Sequence, residues 1–166
     1  MMNACRLCGS SGLVSVVDLG ATPPCELFLT EQQLDEPELT YPLHLRVCAD
    51  CLLAQLPPLI TPEETFTEYA YFSSYSDSWL AHCRDYVDMI SERLGLGADS
   101  LVVELASNDG YLLQWFVPKG IPVLGIEPAK NVAAVAIEKG IPTLAEFFAG
   151  SIPRAGMPRL TTCWSR

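Results

Sequence analysis

Basic side chains are scarce: ten Lys and Arg stand against twenty Asp and Glu, giving a formal charge of −10 with only two histidines. The ten are scattered, so the clustered cations that neutralise a phosphate backbone are missing and a nucleic-acid partner is disfavoured. Long apolar runs are also missing. None approaches a membrane span, and the amino terminus lacks the basic-then-apolar order of an export leader, so the chain reads as cytoplasmic with no membrane partner. Glycine is short where a dinucleotide would need it: the turn after the strongest strand signal holds Gly110 alone, not the G-x-G-x-x-G that lets backbone press against a pyrophosphate. A nicotinamide-dependent enzyme is disfavoured on that ground.

Cysteine, by contrast, is plentiful, with seven in 166 residues. Without an export signal these read as metal ligands rather than disulfides. Cys5 and Cys8 form one C-x-x-C pair and Cys48 and Cys51 a second, each able to place two thiolates about 2.3 Å from one tetrahedral zinc. The long loop between them adds closure entropy only logarithmically. Four thiolates leave no open position for a substrate, so the zinc is expected to be structural, worth on the order of 10 kcal/mol of folding free energy in a small module. The alternative is four buried reduced cysteines. Cys25, Cys83 and Cys163 stand alone and read as packing residues.

The remaining pattern predicts an α/β chain. Residues 1–60 form the zinc-binding β module, with strands over Leu13–Leu19 and from Tyr41, a turn at Gly20–Pro24, and an acidic loop or short helix over Glu31–Glu38. In the second strand Tyr41, Leu43, Leu45 and Val47 share one face, with His44 and Arg46 on the other. Residues 61–98 hold a capping box (Thr61, Pro62, Glu64), the aromatic connector FTEYAYFSSY at Phe66–Tyr75, and a helix whose stripe Trp79, Leu80, Cys83, Tyr86, Val87, Ile90 and Leu94 ends at Gly95 and Gly97. The connector's rings either glue two domains together or line a pocket mouth. His82, beside the stripe, is a substrate-contact candidate or a boundary residue.

Residues 99–148 read as strand (101–105), helix (about 110–117), strand (121–126), helix (about 129–139) and a possible third strand at Ile141–Leu144, an alternation that predicts a parallel sheet. In VVELASNDGYLL, Val102–Leu113, a strand carrying Glu104 breaks into the turn Ser107-Asn108-Asp109-Gly110. Ligands of open α/β sheets lie at the carboxyl ends of such strands, and Glu127, closing the second run, can accept bonds from ribose hydroxyls. A turn this poor in glycine suits a cofactor without phosphates, with an amino acid moiety and an adenosine: S-adenosylmethionine. Plain sheet connections also look like this. In residues 149–166, three arginines, no acid, Pro153, Gly156 and Pro158 predict no regular element.

Together CRLCG, YPLHLRVCADCLLAQL, FTEYAYFSSYS, VELASNDGYLL and GIPVLGIEPAKNVA resemble the amino-terminal part of the zinc-containing, S-adenosylmethionine-dependent sugar C-methyltransferases, over roughly residues 3–148. The resemblance implies a Rossmann-like methyltransferase domain, here partial, behind the zinc module. It also implies a nucleotide-linked 4-keto sugar as substrate: a base removes the proton next to the ketone, and the enolate carbon attacks the activated methyl group. It implies zinc on Cys5, Cys8, Cys48 and Cys51. Glu104, Ser107, Asn108, Asp109, Gly110 and Leu113 would hold the amino acid end of the cofactor and Glu127 with Pro128 its ribose, while Tyr71, Ser73 and Ser74 would border it. Tyr69, Tyr75 and His82 are substrate-side candidates. The family's catalytic histidine has no counterpart here, so a truncated or frame-shifted member with a non-family tail from residue 149 is expected. The competing reading is a non-catalytic zinc-binding interaction module with a residual nucleotide-binding fold. Sugar, nucleotide and oligomeric state stay open.

Overall fold

Two register shifts shape the amino-terminal sheet. β1 (Leu13–Thr22) pairs antiparallel with β2 (Tyr41–Cys48), which pairs antiparallel with β3 (Ala54–Gln55), and the β1–β2 ladder slips between Ser15 and Val17 and between Asp18 and Ala21. Such bulges take up an extra residue while pairing continues. That is why β1 runs on to Thr22, through the stretch where the sequence predicts a turn at Gly20–Pro24; Gly20, at φ 79°, makes the irregular step. β2 is a half-buried strand as expected, Leu43 to Val47 all being half-buried. Glu31–Gln33 is a single exposed 3₁₀ turn. The capping box forms as predicted: the Glu64 amide donates to Thr61 Oγ1 (3.2 Å) and the Thr61 amide to Glu64 Oε2 (2.8 Å), opening α1 (Pro62–Phe66).

The computed structural model describes residues 4–25, 27–148 and, as backbone, 160–163. It divides into two compact units, Met1–Thr65 and Phe66–Arg166. Among the described residues of the first unit, the buried ones are Cys5, Cys48 and Gln55, whereas Val14, Val16, Leu19 and Phe28 are exposed. The described residues of this unit therefore form no apolar core, and their interior is the cysteine cluster.

The second unit has an ordinary core. α2 (Asp77–Leu94) starts on Ser76, whose hydroxyl accepts from the Trp79 amide, and stops at Gly95 in the left-handed conformation. Its Cys83 and Val87 pack with Val102, Leu112, Leu113, Phe116, Ile121, Val123 and Ile141, each large side chain contributing about 1.5–3 kcal/mol by leaving water. β4 (Leu101–Leu105), β5 (Val123–Ile126), β6 (Thr143–Leu144) and β7 (Leu160–Cys163) form a parallel sheet in the order β6-β5-β4-β7, with α3 (Lys130–Glu138) between β5 and β6. Among the described residues no helix is long and apolar enough to cross a membrane.

Two expectations for this unit are corrected. Residues 110–117 form no α-helix. Leu113–Trp115 and Val117–Lys119 are 3₁₀ turns, because Pro118 can neither donate to the carbonyl four residues back nor avoid it, and seven residues from Tyr111 to Val117 are too few to propagate a helix. The tail, for its part, is not devoid of regular structure. Pro153, Gly156 and Pro158 all precede Leu160, and the β-branched LTTC then pairs with the side of β4 that β5 leaves open.

Candidate functional site

The two C-x-x-C pairs meet. The four Sγ atoms of Cys5, Cys8, Cys48 and Cys51 lie within 4.8 Å of one another, with Cys5 3.5 Å from Cys51 and Cys8 3.6 Å from Cys48. Those separations are far beyond a disulfide bond and close to the roughly 3.8 Å edge of a tetrahedron with 2.3 Å zinc–sulfur bonds. Each pair sits on the same kind of loop. The Gly9 amide donates to the Cys5 carbonyl and the Cys5 amide to the Ser10 carbonyl; likewise the Leu52 amide donates to Cys48 and the Cys48 amide to Leu53. Backbone amides also aim at sulfur. The Cys8 amide is the main cause that draws the Cys5 thiol down to about 6, while burial and the three neighbouring sulfurs, against the Leu53 amide, push Cys51 up to about 12. The cluster thus mixes easily ionised and reluctant thiols, a division that a dication would cancel by favouring thiolate at every ligand.

The turn from Ala106 to Gly110 is equally well tied. Asn108 and Ala106 have positive φ (49° and 57°), and every amide from Ala106 to Gly110 already has an acceptor: Ile126 O for Ala106 and Ser107, Glu127 Oε2 for Asn108 (2.9 Å), Asn108 Oδ1 for Asp109 (2.9 Å), Ser107 O for Gly110. Glu127 Oε1 accepts from the Ala129 amide across Pro128 (2.8 Å). Glu104, wholly buried, lies inside β4 beside Gly125 of β5. Gly110 has φ 76°, and a Cβ there would fall on Ile141 Cδ1. Gly125 is close-packed too, under the Ser107 hydroxyl. Leu113 lies in the apolar core.

The connector is stitched to this turn. Asn131 clamps Tyr69 at both its amide (3.0 Å) and its carbonyl (2.6 Å); Asn108 donates to the Tyr71 carbonyl (3.0 Å) and accepts from the Ser73 amide (2.9 Å). The Ser74 amide donates to the Asp109 carboxylate (3.3 Å), which pairs with Lys139 Nζ (3.1 Å), and Lys139 also donates to Ser74 Oγ (2.9 Å). Tyr71, Ser73, Ser74, Asn108, Asp109 and Glu127 are thereby brought together. Tyr75 is 89% exposed, and His82 stacks on Trp79 of α2 at 5.3 Å, Trp79 in turn lying 6.0 Å from the Tyr111 ring.

Residues 5–66 match a family model described as "Putative zinc binding domain". The amino-terminal unit is therefore similar to that zinc-binding family, over less than half of the chain. Over 96% of its length the chain is also 35% identical to the C-methyltransferase NovU of Streptomyces niveus, of which it spans 39%. The resemblance to a zinc-containing C-methyltransferase holds at that level. Within the zinc-binding domain the sequence reading missed Gln55, 2% exposed, whose Nε2 donates to Cys5 Sγ (3.3 Å) and whose Oε1 accepts from the Arg6 amide (3.1 Å). Such outer hydrogen bonds orient ligands. The signal was its place in the quoted motif CLLAQL, four residues after Cys51. Asn131 and Lys139 were missed as well, because nothing in their spacing marks a partner sixty residues back.

The loop symmetry of the zinc-binding domain carries a prediction. Gly9 (φ 75°) and Leu52 (φ 62°) are equivalent, yet only the first is glycine, and Leu52 is 75% exposed. Leu52→Gly is expected to stabilise the domain by about 1 kcal/mol, because a left-handed leucine costs about that much. Urea unfolding of the zinc-loaded chain checks it.

Proposed function

We propose that the second unit is a Rossmann-like domain that binds S-adenosylmethionine at the carboxyl ends of β4 and β5, and that the protein serves C-methylation of a nucleotide-linked keto-deoxysugar, with a structural zinc in the first unit. The observation that carries this reading is the turn. Its amides are all engaged internally, so none is left to cradle a pyrophosphate, while each Glu127 oxygen accepts one amide and keeps capacity for a second donor such as a ribose hydroxyl. Strand order adds support. Numbered from β4, the sheet runs 3-2-1-4, as in the doubly wound folds whose ligands sit where the order reverses.

Bound there, S-adenosylmethionine would supply a methyl group activated by its sulfonium. The chain's own part is to receive the adenosine on Glu127, to offer the amino acid end the polar loop around Ser107 and Asn108, and to set tyrosine faces nearby, where a ring quadrupole favours a cation. The zinc fits a structural role because four thiolates fill a tetrahedron.

Calorimetric titration with S-adenosylmethionine and, separately, with NAD tests the reading. Saturable binding of the first and none of the second is expected, and NAD binding alone would overturn it. Methyl incorporation into a nucleotide-linked keto-deoxysugar, followed by mass spectrometry, tests the substrate class.

A further inference from the structure

We propose that Tyr69–Ser74 is a pre-set strap, fixed by Asn131, Asn108, Asp109 and Lys139, and that Asn131 and Lys139 act through it as positioning residues for the methyl-donor site. The ligand rests on the reading above; the strap rests on contacts alone. Its two ends are pinned at opposite ends of one helix: Tyr69 to Asn131 in the first turn of α3, Ser74 to Lys139 just past the last. Those anchors are eight helical steps apart, about 12 Å. Five residue steps of chain reach at most about 17 Å, enough to span that distance. Thr67 extends the attachment by accepting the Lys130 amide (3.2 Å), one of the donors that a helix start leaves without an internal partner.

The fastening is of an unusual kind. Backbone groups of Tyr69, Tyr71, Ser73 and Ser74 bond to side chains instead of a neighbouring strand, so the strap holds its course without pairing to the sheet. Asn108 and Asp109 contribute from the turn itself. Consequently the turn and the strap form one wall, and the tyrosines and serines it carries are placed before any ligand arrives. Pre-placement of this sort raises affinity by removing the ordering cost from the binding step. Lys139 has a second part, since its ammonium neutralises Asp109, a carboxylate only 3% exposed, and holds the turn's carbonyl at Asp109 (2.9 Å).

Each acceptor guards a different amide, which gives the test its resolution. Amide exchange by NMR on the full chain should show Asn131→Ala speeding exchange at Tyr69 by about tenfold while Ser73 stays slow, as loss of one hydrogen bond predicts. Lys139→Met should loosen Ser74, and Lys139→Arg should restore it. Titration with S-adenosylmethionine should then show Kd raised about tenfold by Asn131→Ala and by Lys139→Met, and close to the parent value for Lys139→Arg. Unchanged exchange at Tyr69 and Ser74, or donor binding indifferent to a loosened strap, overturns the proposal. A parent chain with protected strap amides that binds no donor overturns the positioning role together with the reading it rests on, and so separates that failure from a failure of the strap.

Discussion

Cys48→Ser is expected to leave the chain without stoichiometric zinc and its first 65 residues without folded structure, while the second unit keeps its own transition on heating. The reason is the composition of the interior. Among the described residues of the first unit, those removed from water are two ligand cysteines and Gln55, which bonds to one of them. The described residues offer no apolar core to fall back on, and modules of this size without one depend on a metal or disulfides. A chelator should have the same effect on the parent chain. Metal analysis alongside circular dichroism decides the matter: a variant that loses zinc but keeps the β1–β2 sheet would show that the metal is an accessory.

Acid should mimic the chelator, because protons compete with zinc for four sulfurs. In the metal-free state the thiols oppose one another. Cys5 has a folded pKa of about 6, below its ordinary 9.0, so its contribution to stability is complete above pH 9 and lost as pH falls through 6. Cys51, raised to about 12, contributes below pH 9 and ceases to do so as pH climbs towards 12. Zinc removes the opposition by holding all four as thiolates, so the loaded domain should lose stability only on the acid side.

How far the sequence could be read depended on whether the signal was local. The two C-x-x-C pairs, the capping box at Thr61 and the stripe from Trp79 to Leu94 are spacings, and the structure realises the first two in full and the helix of the third, whose Cys83 and Val87 are buried while its ends Trp79 and Leu94 are exposed. β4 and α3 were legible for the same reason. The 3₁₀ turns at 113–119 were not, because apolar density at Tyr111–Phe116 looks the same in a helix and in a turn forced by Pro118. β7 depends on an open side of β4 that no local pattern reveals. Asn131, Lys139 and Gln55 act through partners distant in sequence. Gly110 was named only among the residues that would hold the amino acid end of a cofactor, whereas the structure shows its α-carbon facing Ile141 and Ala136.

That difference can be measured. Gly110→Ala should destabilise the second unit by about 3 kcal/mol, from two separable sources. A left-handed φ of 76° costs an alanine about 1–2 kcal/mol. Its Cβ would also land on Ile141 Cδ1, and overpacking in a filled core adds about 1–3 kcal/mol. Ile141→Val deletes that one carbon, and alone it should cost about 1 kcal/mol as a small cavity. If packing is the larger source, the double variant Gly110→Ala/Ile141→Val should be no less stable than Gly110→Ala alone, giving a coupling energy of about 1 kcal/mol or more. Simple additivity would put the whole cost in the backbone. Titrating the double variant with S-adenosylmethionine then isolates the glycine's part in the proposed site. Restored packing with restored binding makes Gly110 a hinge of the core that shapes the turn, and restored packing with binding still lost means that the donor itself needs the space above the α-carbon.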